Sequence, residues 1–176
     1  ASHQLTKYIK VPNFVSAGWS SARTPDAQTG WETASSLMVS AMAGGKLIRH
    51  AAGFMENGIT LSFEHFVMSD HIIGMIKRML RGIEVNAGTI GLDAIKDVGP
   101  GGNFLVSSHT TKYMRKELYT GSGLVKNYPY EKWVDKGRPD ALKRARDMVT
   151  TLLEKAENHI PLDVDDEIRK KYRILL

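Results

Sequence analysis

The chain has 176 residues, 42% of them apolar, which is enough to bury a sizeable core as one domain or a piece of a larger one and excludes a disordered chain. Its 24 Lys plus Arg against 19 Asp plus Glu leave a net charge of +5, with basic residues scattered among acids, so no nucleic-acid footprint is indicated. There is no cysteine, which excludes disulfides, thiolate nucleophiles and cysteine metal sites and fits a cytoplasmic enzyme.

No apolar run approaches the length of a membrane span, and the first residues lack the charged-then-apolar pattern of a signal peptide, so a soluble protein is expected. Ile9 to Ser16 is apolar and β-branched and reads as a short buried strand. A helix follows, capped by Thr24 with Pro25 in its first turn. Ala27, Trp31, Ala34, Met38 and Met42 recur along it at helical spacing until Gly44-Gly45. Lys46 to His50 reads as a second strand, running into a loop around Gly53 and Gly58. Ser62 to Val67 reads as one or two helical turns. Ser69-Asp70 then caps a stronger helix with Ile72, Ile73, Ile76, Met79 and Leu80 on one stripe before Gly82.

Strand, helix, strand, helix is the alternation of a parallel α/β fold. From Thr89 onward only helices are expected: Thr89 to Asp97, Ser108 to Leu118, Tyr130 to Lys136, Pro139 to Asn158 and Asp163 to Tyr172. The fourth is the clearest, with Leu142, Ala145, Met148, Val149, Leu152, Leu153 and Ala156 on one face. Two strands make neither an independent covered sheet nor a closed barrel, so further strand material must come from elsewhere, or the piece is mostly helical. The turn Gly99-Pro100-Gly101-Gly102 after Val98 demands positive φ and close backbone approach. It lacks the Lys-Ser/Thr of a nucleotide-binding loop, and His65 and His71 are off helical register for a shared metal.

An ordered series surrounds that turn. Pro25-Asp26-Ala27-Gln28 with Glu32, Ala52-Gly53, Ser62-Phe63-Glu64 and Arg81-Gly82-Ile83-Glu84-Val85 precede it. Phe104-Leu105, His109-Thr110, Met114-Arg115, Glu131-Lys132-Trp133, Gly137, Asp140 and Arg144-Ala145 follow. In this order the set resembles the C-terminal stretch of the trimethylamine methyltransferase family, over nearly the whole chain. The resemblance implies the α/β class and the C-terminal part of a (β/α)8 TIM barrel, with its last strand-helix units in residues 1–88 and a helical C-terminal extension in 89–176. It makes Ala1 read as the cut edge of a longer protein. It also implies transfer of a methyl group from a quaternary or tertiary methylated amine to the cobalt of a corrinoid (cobalamin) on a separate carrier protein, with no cofactor bound tightly by the chain itself. Trimethylamine-specific members carry pyrrolysine in this late part of the barrel and none is printed here, so a glycine betaine-like substrate is implied, unless a recoded position was replaced. The partners expected are the corrinoid carrier protein, the small amine and further copies of the chain in a homo-oligomer, with no nucleic acid and no membrane.

Demethylating a quaternary amine requires no proton on nitrogen, so the protein has chiefly to hold the cation in place. Trp19, just past the first strand, can offer cation–π attraction, or it can pack under a loop; Trp31, on the apolar stripe, reads as core. Arg23, Arg49 and His50 fall at or beyond strand ends, where a betaine carboxylate would find donors, with Arg23 the first choice. Each is otherwise a surface cation or a helix-end contact. Asp26 and Gln28 begin a helix, where an acid is favoured by the helix dipole in any case. Glu64 either accepts a hydrogen bond in the site or serves the helix start after Ser62. His109, with Gly101 and Gly102 before it, is placed near the corrinoid, or its ring bonds a neighbouring carbonyl. The alternative is a non-catalytic helical binding or structural module, with Lys77, Arg78 and Arg81 on one helix facing an acidic partner.

Overall fold

A computed structural model describes residues 1–157 and 159–172. Helix α1 (Ser2–Tyr8) comes first, where no element was expected, and strand β1 (Phe14–Ser16) is shorter than the Ile9 to Ser16 run. Two residues break that run: Lys10 sits at φ 56°, and Pro12 has no N–H for a ladder. Helix α2 (Ala27–Met42) leads to β2 (Leu47–Arg49), which pairs parallel with β1 in the register Phe14 to Leu47, Val15 to Ile48 and Ser16 to Arg49. A hairpin of β3 (Phe54–Met55) and β4 (Thr60–Leu61) then turns through Glu56, Asn57 and Gly58, all at positive φ. Strands of two residues carry no periodicity, so the sequence shows only the glycine-containing loop around Gly53 and Gly58 here.

Asp26, not Thr24, caps α2. Its carboxylate accepts from the backbone N–H of Gln28 at 2.9 Å and of Thr29 at 3.3 Å. The helix begins at Ala27, so Thr24 lies two residues before the cap position, and its carbonyl instead accepts from the Thr29 hydroxyl. Of the stripe predicted for α2, Met38 packs beside the core, but the fully buried positions are others. Thr29, Thr33 and Leu37 point inward, while Trp31 is 62% exposed and Met42 71% exposed. Hydroxyls replace apolar groups on the inner face because each finds an acceptor there: Thr29 donates to the Thr24 carbonyl at 2.7 Å and Thr33 to the Gly18 carbonyl at 2.9 Å.

The two helical pieces predicted over 62–81 are one helix, α3 (Phe63–Arg81), capped by the Ser62 hydroxyl at the His65 N–H. Ser69 is therefore no cap; it is fully buried in mid-helix and donates to the His65 carbonyl one turn back at 2.7 Å. Of the α3 stripe, Ile76 is buried and Ile72 and Ile73 pack beside it, whereas Met79 and Leu80 are half exposed.

Further on, α4 (Ala87–Ile90) and α5 (Leu92–Val98) replace one predicted helix, split at Gly91, which is left-handed at φ 66°. Then come α6 (Ser108–Glu117), α7 (Tyr130–Asp135), α8 (Ala141–Glu154) and α9 (Leu162–Lys171), near their expected places. Asp140 caps α8, and the predicted end of that helix, Asn158, lies outside the described residues. The glycine turn behaves as its composition demands: Gly99 and Gly101 take φ of 67° and 75°, and a Cβ on Gly102 would overlap the Val98 carbonyl.

Two clusters form the core. Ala17, just after β1, joins Leu37 of α2 and Ile76 of α3, with Ile48 of β2 packed against them. Val67, Leu124 and Ala145 join α3 to α8. Burying a leucine such as Leu37 stabilises by about 1.5–3 kcal/mol. Helix α3 thus belongs to both clusters. The described strands form two two-stranded sheets, so the α/β class with two short parallel strands holds, and the described strands close no barrel. Among the described residues no helix is long and apolar enough to cross a membrane.

Candidate functional site

The alternation of the parallel pair sets what its ends can do. Ile48 and, just after β1, Ala17 pack toward the helices; by alternation Val15 shares their face, and Phe14, Ser16, Leu47 and Arg49 share the opposite one. There Arg49 donates from Nε to the Ser16 hydroxyl at 2.8 Å, and its guanidinium carbon lies 4.5 Å from the centre of the Phe14 ring.

Just beyond the strand ends two loops meet. Trp19, after β1, stacks on His50, after β2, with ring centres 5.5 Å apart and an interplanar angle of 8°. His50 in turn meets Phe54 edge to face at 5.1 Å. The loops are joined through backbone: Ser20 N–H to the Phe54 carbonyl, Asn57 N–H to the Ser20 carbonyl and Glu56 N–H to the Ala22 carbonyl, at 3.0–3.2 Å. Trp19 stays 41% exposed. Gly18 lets the loops approach, for a Cβ there would stand 2.8 Å from the Ala51 Cα.

Arg23 extends from this cluster into solvent, its side chain 86% exposed, and pairs with Glu56 at 3.2 Å. Trp19, Arg23, Arg49 and His50 are thus gathered at one end of the parallel pair. Glu64 is engaged elsewhere. Its carboxylate accepts from Ser62 at 2.8 Å and pairs with Arg146 of α8 at 3.5 Å. Its own backbone N–H first, then the Ser62 hydroxyl, hold it below the usual carboxylate range, with Arg146 contributing less.

His109 lines an open cleft of about 700 Å³ between α5 and α6, along with Asp93, Asp97, Lys112 and Tyr113. Its Nε2 lies 2.8 Å from the Gly88 carbonyl, and its ring sits where a side chain at Gly91 would be. That is the carbonyl contact of the plainer expectation. Gly101 and Gly102 do not line this cleft, so the structure does not gather the three around it. On α3, Arg78 and Arg81 both reach the Glu117 carboxylate, at 2.8 and 2.6 Å, so two cations of the expected basic face are engaged internally. Among the described residues no group of three or more His, Cys, Asp or Glu side chains is placed to share a metal ion.

The loop after β1 is held by residues to which sequence reasoning gave no role. Glu32 accepts from the Ser20 hydroxyl, the Ser21 N–H, the Ser21 hydroxyl and the Gln28 amide, all at 2.7–2.9 Å. The Ser20 hydroxyl first, then Gln28 and Ser21, lower its carboxyl from 4.5 to about 2. The legible signal was Gln28 and Glu32 one turn apart, facing a Ser-Ser pair beyond a strand. Next to it, Thr33 gives its proton to the Gly18 carbonyl and so accepts from His65 Nε2 at 3.0 Å, which makes the ring the Nε2–H tautomer. His65 is fully buried with Nδ1 unpartnered, and burial pushes its imidazole below the ordinary range, the Gly53 backbone opposing.

A pH dependence follows. His65 folds neutral, and the unfolded chain takes up a proton near the ordinary 6.5. The stability from the neutral ring is present above that value and lost as pH falls through it toward the lowered folded value. His71, also lowered chiefly by burial, acts in the same direction. The urea midpoint is expected to drop from pH 7.5 to 5.5, and to drop less in His65→Gln; an equal drop in both would contradict the assignment. Glu32 adds a separate loss at lower pH, from 4.5 toward about 2.

A family model described as trimethylamine methyltransferase (MTTB) matches residues 1–173. The glycine betaine methyltransferase of Desulfitobacterium hafniense (strain Y51) is 32% identical over 176 residues, covering 100% of this chain and 36% of that protein. A trimethylamine methyltransferase, MttB, of Desulfitobacterium hafniense (strain DSM 10664 / DCB-2) is 32% identical over 173 residues, covering 98% of this chain and 34% of the relative. The MttB of Methanosarcina thermophila is 31% identical over 167 residues, with 95% and 33% covered. The chain spans about a third of the length of these relatives.

Proposed function

The chain belongs to the trimethylamine methyltransferase family, and from that premise we propose that it carries the part of a methyltransferase that holds a methylated amine beside Trp19 and His50. The observation supporting this is the aromatic pair standing beyond the ends of two parallel strands, with one member still open to solvent. A quaternary ammonium carries no N–H to donate, and its charge is spread over methyl groups. An aromatic face attracts it by about 0.5–2 kcal/mol, and hydrogen-bonding groups offer it little. Arg49, on the sheet face opposite the helices, and Arg23, at the loop mouth, are the donors for a betaine carboxylate. This favours a glycine betaine-like substrate over trimethylamine.

In this reading β1 and β2 are the last two strands of a (β/α)8 barrel and residues 89–176 its helical extension. Phe14 at 56% and Leu47 at 61% exposure, on a sheet whose outer edges pair with nothing among the described residues, suit completion by neighbouring strands. The methyl acceptor is a corrinoid presented by a carrier protein, and it supplies the nucleophile. An open site fits an acceptor brought from outside. His109, its Nε2 committed to Gly88, keeps a place here only through the cleft it lines, and Gly101 and Gly102 only as the turn that precedes it. Glu64 serves the packing of α3 on α8.

The reading is tested by giving the complete gene product its corrinoid carrier in the reduced state with glycine betaine, trimethylamine and related amines, and following the corrinoid spectrum. Betaine-dependent methylation is expected. No methylation by any amine, with a carrier shown to be active, would contradict it.

A further inference from the structure

The segment from Gly18 to Ser21 is gripped along its length by one side of α2. The Gly18 N–H donates to the Ser36 hydroxyl at 3.1 Å, and the Gly18 carbonyl accepts from Thr33 at 2.9 Å. The Ser20 hydroxyl and the Ser21 N–H both reach Glu32 Oε2 at 2.7 Å, and the Ser21 hydroxyl reaches Oε1 at 2.8 Å. Trp19 stands in the middle of this segment, and its indole lies against His50 of the other loop instead. Its direction is therefore set by how its neighbours are tied.

We infer that Glu32 is a positioning residue: by holding Ser20 and Ser21 it fixes the face that Trp19 presents, so that affinity for a quaternary ammonium depends on a carboxylate that does not touch it. The inference rests on the reading of Trp19 as the cation surface given above. Glu32 is suited to act on the loop and not on a ligand, because each of its oxygens already accepts two hydrogen bonds, from Ser20 and Ser21 on one and from Ser21 and Gln28 on the other. A carboxylate tolerates four donors at once. An amide does not: Glu32→Gln has the same shape but turns an N–H₂ toward donors on one side, so half of the grip is lost.

The test labels the complete gene product with 5-fluorotryptophan and follows its fluorine resonances, with the Trp19 line assigned by Trp19→Phe. In Glu32→Gln the Trp19 line is expected to shift or split while the Trp31 and Trp133 lines stay, which also shows that the variant folds. An unchanged Trp19 line would overturn the inference. Glycine betaine titrated into the same proteins adds a second arm. Affinity should fall about tenfold in Glu32→Gln. Adding Glu32→Gln to Trp19→Ala should cost no more than Trp19→Ala alone, and losses that simply add would place Glu32's effect elsewhere than through Trp19. If the unmodified protein binds no methylated amine, the proposed function fails, and the fluorine lines still decide whether Glu32 sets Trp19.

Discussion

Gly18→Ala is expected to lower stability by about 3 kcal/mol and to separate the two loops of the candidate site. Gly18 has φ 101°, where an L side chain is strained, and a Cβ would stand 2.8 Å from both the Cα and the carbonyl oxygen of Ala51. Those neighbours are backbone and cannot rotate away as a side-chain end could. The contact also lies between the segment tied to α2 and the segment carrying His50, so relief in one direction breaks hydrogen bonds at Ser36 and Thr33, and in the other disturbs the Trp19 stack. Urea denaturation checks it: the midpoint should fall at constant slope. A change of less than about 0.5 kcal/mol, the scale of an inconsequential surface substitution, would show that the close approach is not held as described.

Trp19→Ala is the second large effect. Removal of the indole takes away the aromatic face and uncovers His50, so the affinity for glycine betaine should fall by about 10- to 30-fold, the upper end of a desolvated cation–π contact. Stability should change less, because Trp19 is 41% exposed and its loop is held by Glu32, Thr33 and Ser36 through groups that the substitution leaves in place. Trp31→Ala supplies the contrast: that indole is 62% exposed on α2 and takes no part in the loop contacts, so betaine affinity should hold. Calorimetric titration of the three proteins distinguishes the outcomes. Equal loss in both variants would remove the special role of Trp19.

Periodicity revealed the helices of this fold better than their faces. On α3 and α8 the apolar stripe names residues that pack: Ile76 in one cluster and Ala145 in the other. On α2 the same reasoning finds Met38, which packs beside the core, but misses the fully buried positions, because Thr29, Thr33 and Ser36 turn hydroxyls inward to satisfy the Thr24 and Gly18 carbonyls and the Gly18 N–H. A stripe of apolar residues predicts burial only where the opposing surface is apolar, and here that surface is a loop full of backbone polar groups. The boundary errors have equally local causes. Pro12 and Lys10 shorten the first strand, Asp26 takes the cap from Thr24, and Gly91, in left-handed backbone conformation, splits a helix.

The candidate site divides in the same way. Trp19 and His50 were legible because both stand just after strand ends, and the parallel register of β1 and β2 brings such positions side by side. Glu64, in the matching place after the hairpin, was not separable from them by sequence, since its commitment to Arg146 of α8 joins residues far apart in the chain. Glu32 stood among the family-like residues without a role, and only the fold shows that its carboxylate faces Ser20 and Ser21.

The central claim is that the Trp19–His50 surface recognises a positive charge clothed in methyl groups. Calorimetric binding of glycine betaine compared with 3,3-dimethylbutyrate, which has the same shape and carboxylate but carbon in place of the charged nitrogen, measures that directly on the complete gene product. We predict that betaine binds and that the isostere lacking the cationic nitrogen binds about tenfold or more weakly, with the difference largely gone in Trp19→Ala. Equal affinity for the two molecules, or a preference that survives the loss of Trp19, would contradict the account.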